Sequence, residues 1–177
     1  MIPALLLAAS LSPALEHKML ASIPAGARPQ RLALLLEVRD GNAKVLALCG
    51  FGGRPIPLVA RVSASGELQG APVQIPPKRS ARADCGTASA SAPFTLRRKG
   101  EKPKRGVIVA FSEGGKPFLS AAITLEPDVV AASEGALEPR QEKGETSFCE
   151  RQSDGARRRL AWQPEAGEYG AEGTCDP

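Results

Sequence analysis

The segment from Gly106 to Leu125 reads GVIVAFSEGGKPFLSAAITL, and it is the stretch that decides the fold class. Two apolar runs, rich in β-branched and aromatic residues, flank a pair of glycines. Glycine adopts the positive φ angles that a two-residue hairpin turn requires. With this turn, Glu113 lies opposite Lys116 as a cross-strand pair of opposite charge. The segment therefore predicts an antiparallel β-hairpin.

The same register predicts which side chains of this hairpin share a face. Counting outward from the Glu113–Lys116 pair, Phe111 is expected opposite Phe118, and side chains alternate between the two faces along each strand. One face then carries Val107, Val109, Phe111, Phe118, Ser120 and Ala122, and the other carries Ile108, Ala110, Leu119, Ala121 and Ile123. Both faces are largely apolar, so the hairpin is expected to be central in a sheet and covered on at least one side.

A second hairpin is predicted from Arg31 to Gly50, with Asp40-Gly41 as its turn. Glu37 is then expected opposite Lys44. The predicted apolar face consists of Leu32, Leu34, Leu36, Val38, Ala43, Val45, Ala47 and Cys49. Arg31, Glu37, Arg39 and Lys44 are placed on the other face, which is the alternation expected of a sheet with one buried side.

Further short strands separated by turn signals complete the pattern. Strands are predicted at 56–64, 68–75 and 93–98, and a third hairpin at 146–163, with Glu150 opposite Arg159 and Cys149 near Leu160. Between them, 139–144 is polar and is expected to be an exposed connection. The high glycine and proline content, 18 and 16 residues, fits many turns and few long helices. We therefore expect an all-β, antiparallel sandwich, immunoglobulin-like or related, built from hairpins with little helix.

The chain divides into four expected parts. Residues 1–14 are uncharged and leucine-rich, with small residues before a plausible cleavage site after Ala14, which is typical of a signal peptide. The apolar run is too short for a membrane span, so no transmembrane anchor is expected. Residues 15–30 are read as an N-terminal arm with a possible short helix from Glu16, residues 31–163 as the sandwich, and residues 164–177 as an irregular tail. Secretion or a periplasmic location follows from this interpretation.

The four cysteines, Cys49, Cys85, Cys149 and Cys175, support the same interpretation. An even number behind a signal-like segment predicts two disulfides formed in an oxidising compartment. Three pairings are possible, and the pairing of neighbours in sequence is favoured. The alternative is four reduced, separately buried thiols in a cytosolic protein. A zinc site is disfavoured because the chain has no Cys-x-x-Cys motif and its only histidine, His17, is far from every cysteine.

One strongly basic segment is a candidate binding site. Its cations are Arg97, Arg98, Lys99, Lys102, Lys104 and Arg105. Together they could bind an anionic surface, so the expected partners are such a surface or another envelope protein. No aromatic residues interleave with the cations for base stacking, which makes nucleic acid a poor candidate. The alternative is a solvated hairpin turn with no binding role.

Catalytic residues are hard to assemble from this sequence. His17 is the only histidine, so a Ser-His-Asp or Cys-His set would have to use it. Carboxylates at Glu134, Glu138 and Glu142 could serve acid–base chemistry, as in a carboxylate-dependent hydrolase, but they are better explained as a solvated acidic face. The arginines at 157–159 are expected to pair with Glu150 or with the acidic 126–150 segment. We therefore expect no cofactor and no metal, and a non-catalytic module for binding, adhesion or assembly in a bacterial envelope or extracellular structure.

Overall fold

The computed structural model describes residues 10–40, 42–75, 84–91, 93–124 and 129–176. Within these ranges a helix, α1 (Pro13–Ser22), and a short 3-10 helix (Ala25–Ala27) precede the first strand. The strands are β1 (Arg31–Asp40), β2 (Ala43–Phe51), β3 (Ile56–Ser63), β4 (Val73–Gln74), β5 (Thr87–Ala90), β6 (Phe94–Leu96), β7 (Lys104–Glu113), β8 (Lys116–Thr124), β9 (Val129–Ser133), β10 (Gly135–Glu142), β11 (Glu145–Gln152), β12 (Arg157–Gln163) and β13 (Glu168–Ala171).

These strands form three antiparallel sheets. The first sheet has the order β1-β2-β3-β4, and the third sheet has the order β10-β11-β12-β13. The central sheet has the order β5-β7-β8-β9, with β6 also pairing with β7. All pairings between neighbouring strands are antiparallel. The predicted all-β sandwich built from hairpins is confirmed, and its layers are three sheets rather than two.

The β7–β8 hairpin lies in the middle of this stack and is buried on both faces. Val107 and Val109 point toward the first sheet, where they pack in a cluster with Val45, Ala47, Cys49 and Val59. Ile108 and Ala122 point the other way and pack with Leu137, Phe148 and Leu160 of the third sheet. The prediction that the hairpin is central and covered is therefore confirmed, as is the pairing of Glu113 with Lys116 across the two glycines.

The predicted faces of β8 were wrong, because a β-bulge shifts the register by one residue. Ser112 pairs with Pro117 but Phe111 pairs with Leu119, so Phe118 is the extra residue of the bulge. Proline has no N–H to donate to the ladder and is tolerated inside sheets mainly at bulges. A one-residue shift moves every following side chain to the other face. Leu119, Ala121 and Ile123 consequently share the Val107 face.

The β1–β2 hairpin also departs from its predicted register. In the backbone register Arg39, not Glu37, lies directly opposite Lys44. The turn therefore falls one residue later than predicted, between Asp40 and Ala43. A second irregularity, between Leu34 and Leu36, shifts the register again, so that side chains before it point to the opposite face from the one predicted. As a result Leu32 and Leu34 lie on the face that was predicted to be charged, in a cluster with Leu46, Leu48, Leu58 and Met19.

Helix α1 covers this second face of the first sheet. Ser12 caps the helix, its Oγ accepting from the backbone N–H of Leu15 at 3.2 Å. Met19 of this helix is fully buried against the leucines of the first sheet. The Glu16 carboxylate accepts a hydrogen bond from the N–H of Leu32 at 2.9 Å. The possible short helix is thus present, and it begins at Pro13, before the proposed cleavage position. Residues 1–9 of the predicted signal peptide lie outside the described residues.

The third sheet replaces two segments that were predicted to be irregular. Residues 139–142 belong to β10, which pairs with β11 along its whole length, and the tail contains β13, which pairs with β12. The β11–β12 pairing is shifted by one residue from the prediction, with Phe148 opposite Leu160 and Glu150 opposite Arg158. Within the described chain, no helix is long and apolar enough to cross a membrane.

Both disulfides have the predicted pairing of neighbours. Cys49 on β2 is bonded to Cys85, which lies two residues before the start of β5, so this bond ties the first sheet to the central sheet. Cys149 on β11 is bonded to Cys175 after β13, so the second bond closes the third sheet. The sequence separations are 36 and 26 residues. Bonds of this span restrict the unfolded chain by about 3.5 to 4 kcal/mol in the chain-entropy model.

Removing either disulfide should lower the free energy of unfolding by about 3 kcal/mol or more, because the unfolded chain regains the freedom that the bond removes. Urea titrations of Cys49→Ala/Cys85→Ala and Cys149→Ala/Cys175→Ala, each compared with the oxidised parent, would measure this loss. A loss below about 1 kcal/mol in either double variant would contradict the structural role of that bond.

Candidate functional site

The predicted basic segment forms the turn between β6 and β7 at the junction of the central and third sheets. Its first residue, Arg97, is fixed to Thr146 at the start of β11. The N–H of Arg97 donates to Thr146 Oγ1 at 2.8 Å, and the N–H of Thr146 donates to the Arg97 carbonyl at 2.9 Å. Thr146 Oγ1 also donates to the carbonyl of Thr95 at 2.8 Å. The base of the basic turn is therefore held rigidly to the third sheet.

Arg98 is set apart from the other cations of the turn, because its side chain folds inward onto aromatic rings. Its guanidinium carbon lies 3.9 Å from the ring centre of Trp162 and 5.6 Å from that of Tyr169. Only 15% of the side chain is exposed, and Glu101 lies 3.8 Å from it. A cation over an aromatic face is attracted by the ring quadrupole, more strongly when water is excluded. Arg98 thus fastens the turn to β12 and β13.

The rings beneath Arg98 continue into the core. Tyr169 packs edge-on against Phe148 at 5.1 Å, and Phe148 packs edge-on against Phe94 at 5.4 Å. The hydroxyl of Tyr169 donates to the carbonyl of Thr146 at 2.9 Å. Burial raises the pKa of Tyr169 above its ordinary value, although the positive charge of Arg98 acts in the opposite direction. The hydroxyl group of Tyr169 therefore stays protonated at neutral pH and keeps donating this hydrogen bond.

The predicted basic cluster is therefore split in two. Arg98 has a structural position, whereas Arg97, Lys99 and Lys102 are exposed on the turn, together with Arg105 on β7, and Lys104 is half-buried. The sequence could not show this division, because Trp162 and Tyr169 lie on strands far along the chain.

The candidate carboxylates lie beside arginines. Glu142 accepts from Arg159 Nε at 2.7 Å, and Arg140 approaches Glu138 at 3.8 Å. The hydrogen bond from Arg159 lowers the pKa of Glu142 below its ordinary value. A general acid needs a raised pKa, so Glu142 is unsuited to that role. Glu134 is exposed between β9 and β10.

The arginine run on β12 is only partly neutralised. Arg158 donates to the buried Glu150 at 3.0 Å, and Arg159 pairs with Glu142 and, at 3.9 Å, with Glu172. These contacts match the expected pairing with the acidic segment. Arg157 has no such partner in the described part of the chain, and it lies directly opposite Arg151 on β11. The sequence pattern did not reveal this pair, because it depends on the exact register.

A cavity of about 160 Å³ adjoins these arginines on the outer face of the third sheet. Its lining consists of Ala136, Leu137, Glu138, Arg140, Cys149, Arg151 and Arg157. A second cavity, of about 190 Å³, lies between the start of α1 and the first sheet. Four of the ten residues that line the second cavity are leucines, and the Glu37–Lys44 ion pair at 3.3 Å lies on its wall.

His17 is exposed on α1 and lines neither cavity. Among the described residues, no group of three or more histidine, cysteine, aspartate or glutamate side chains could hold a metal ion. Comparison of the chain with protein-family models, with curated proteins and with solved structures found no match.

Replacing Arg98 with glutamine should lower the free energy of unfolding by about 1 to 2 kcal/mol, because a largely buried cation–π contact is lost. The same change at exposed Lys99 removes an equal charge and should have an effect below about 0.5 kcal/mol. Denaturant titration followed by the fluorescence of Trp162, the only tryptophan, would measure both. Equal effects at the two positions would refute the stacked geometry as the source of stability.

Proposed function

We propose that this protein is an exported, non-catalytic β-sandwich module that works in binding, adhesion or assembly in a bacterial envelope or extracellular structure. The observation that carries the proposal is the pair of disulfides, one of which joins two sheets through the core. Cytosolic thiols are kept reduced, whereas proteins of the periplasm and the exterior keep such bonds. Cys49 and Cys85 are 1% and 4% exposed, which suits a permanent structural bond rather than a redox switch.

The surroundings of the candidate catalytic side chains support a binding role rather than a catalytic one. His17 is exposed on a helix, and the carboxylates of β10 face arginines. Neither arrangement provides the desolvated, pKa-tuned pair that acid–base chemistry requires. The carboxylate-dependent hydrolase is accordingly the weaker proposal.

Intact-mass measurement of protein expressed from its own start tests the export proposal. We expect the mature protein to lack the leader, with a new N-terminus after Ala14, and to carry two disulfides, so that alkylation labels cysteines only after reduction. Retention of residues 1–14 with four alkylated thiols in the native protein would overturn it. Mature protein without disulfides would leave export standing but contradict the oxidised fold.

A second candidate function is anion binding by the exposed cations of the basic turn. The observation that favours it is the rigid base of the turn, where Arg97 and Thr146 exchange two hydrogen bonds and Arg98 is stacked on Trp162. A pre-ordered turn loses little conformational entropy when a ligand binds. Arg97, Lys99 and Lys102 would then contact an acidic glycan or another anionic surface.

Heparin chromatography tests this second candidate. Arg97→Gln/Lys99→Gln/Lys102→Gln should elute at clearly lower salt than the parent, because ion-pair contacts to a polyanion are salt-dependent. The matched control is a triple variant of equal charge loss elsewhere, Lys18→Gln/Arg28→Gln/Arg39→Gln. Equal shifts in both variants would mean that only net charge matters, and would remove the turn as a site.

A further inference from the structure

Two arginines face each other on the outer side of the third sheet. Arg151 on β11 pairs directly with Arg157 on β12, so the two side chains leave the sheet from adjacent positions on the same face. The Cβ atoms of such a pair lie about 5 Å apart, and like charges in this position destabilise a sheet. Neither arginine has an ion pair or hydrogen bond from its side chain to any of the described residues.

Other arginines of this sheet do have carboxylate partners, so the lack of ion pairs among the described residues is particular to Arg151 and Arg157. Arg158 is held by Glu150 and Arg159 by Glu142, each at 3.0 Å or less. Carboxylates are thus available on neighbouring strands, yet none contacts Arg151 or Arg157 in the described structure. The position opposite Arg151 on β10 is occupied by Ala136, whose small side chain leaves space beside the pair.

That space is the cavity of about 160 Å³, and a third arginine contributes to it. Arg140 donates from Nη1 to the carbonyl of Asp176 at 2.9 Å and lies 3.8 Å from Glu138. Its Nε is buried without a hydrogen-bond partner in the described structure. The cavity therefore brings together three guanidinium groups and one carboxylate, a net charge of +2 (three positive, one negative).

We propose that this cavity binds a phosphate group, with Arg151 and Arg157 as the principal contacts and Arg140 as the third. A dianionic phosphate balances the charge of the four side chains, whereas a carboxylate neutralises half of it. The planar guanidinium fork donates two parallel hydrogen bonds to phosphate oxygens. A phosphate group would then be the ligand of the proposed binding module. This assignment rests on the proposed binding role but not on export, and it is independent of the basic turn.

The first test is titration of the oxidised, full-length protein with inorganic phosphate at constant ionic strength, followed by amide chemical shifts. We expect saturable shifts concentrated at 136–140, 149–151 and 157, and no comparable response to acetate. Shifts located elsewhere, or equal shifts with acetate, would overturn the proposal without any variant having to fold.

Variants give the second test. Arg151→Gln and Arg157→Gln should each weaken phosphate binding about tenfold or more, since each removes a bidentate charge-assisted contact. Arg157→Lys should restore part of the affinity, because the charge returns without the fork geometry. Lys18→Gln on α1, an exposed position with an equal loss of charge, should bind phosphate as the parent does. If this control loses as much affinity as Arg157→Gln, the effect is one of net charge and the proposal fails.

Thermal unfolding separates a binding role from a structural one. Without phosphate, Arg157→Gln should melt at the same temperature as the parent or higher, because the repulsion with Arg151 is removed. With phosphate, the parent should gain stability and the variant should not. A variant that melts lower than the parent without phosphate would show that Arg157 supports the fold, and would count against the proposal.

The source of the phosphate group is distinguished by two probes. Inorganic phosphate tests a free or sugar-linked phosphate. Phosphatidylcholine vesicles with and without phosphatidic acid test a lipid headgroup, read as co-sedimentation lost in Arg151→Gln. Response to either probe supports the site and assigns its source, and response to neither overturns it.

Discussion

The burial of both faces of the β7–β8 hairpin is the constraint on which the rest of the structure depends. Side chains leave a strand alternately to its two sides, so Val109 faces the first sheet while Ile108 faces the third. Because neither side can be left in water, two further sheets are needed to cover the hairpin. The chain supplies them on either side in sequence: 31–75 forms the first sheet and 135–171 the third. The three-layer arrangement thus follows from the apolar character of a single ribbon.

The polar features of the surface follow from how the third sheet meets this ribbon. Thr146 closes the junction by bonding to Thr95 and Arg97, and the stack of Arg98 on Trp162 lies directly above it. On β12, Arg158 is paired with Glu150 and Arg159 with Glu142. Arg151 and Arg157 differ, because their side chains have no ion pair or hydrogen bond to any of the described residues. Departures from charge pairing cost stability, and proteins retain them most readily where a ligand completes the charge balance.

Alternation and turn chemistry were enough to predict the three hairpins and the fold class, but not β10 and β13, which occupy segments predicted to be irregular. The disulfide pairing was the favoured one of three that the sequence allowed. Alternation and turn chemistry were not enough to predict register, since the bulge at Phe118 exchanged the faces of β8 and the irregularity near Leu35 turned over the start of β1. Bulges are set by the packing of whole sheets and leave little local signal, although Pro117 was one. The division of the basic segment could not be predicted for a related reason, because the position of Arg98 depends on Trp162. The position of Arg157 opposite Arg151 likewise depends on the β11–β12 register.

The placement of the two disulfides makes the three layers mechanically unequal. Cys49–Cys85 joins the first and central sheets covalently, whereas Cys149–Cys175 lies within the third sheet. All four cysteines are used, so no disulfide joins the third sheet to the central one. These two sheets are held together by side-chain packing, by the hydrogen bonds of Thr146 to Thr95 and Arg97, and by the short link from β9 to β10. Under tension across the stack, we expect the central and third sheets to separate first, while the disulfide keeps the first and central sheets together. Mechanical unfolding of the protein is therefore expected to begin at the interface between the central and third sheets.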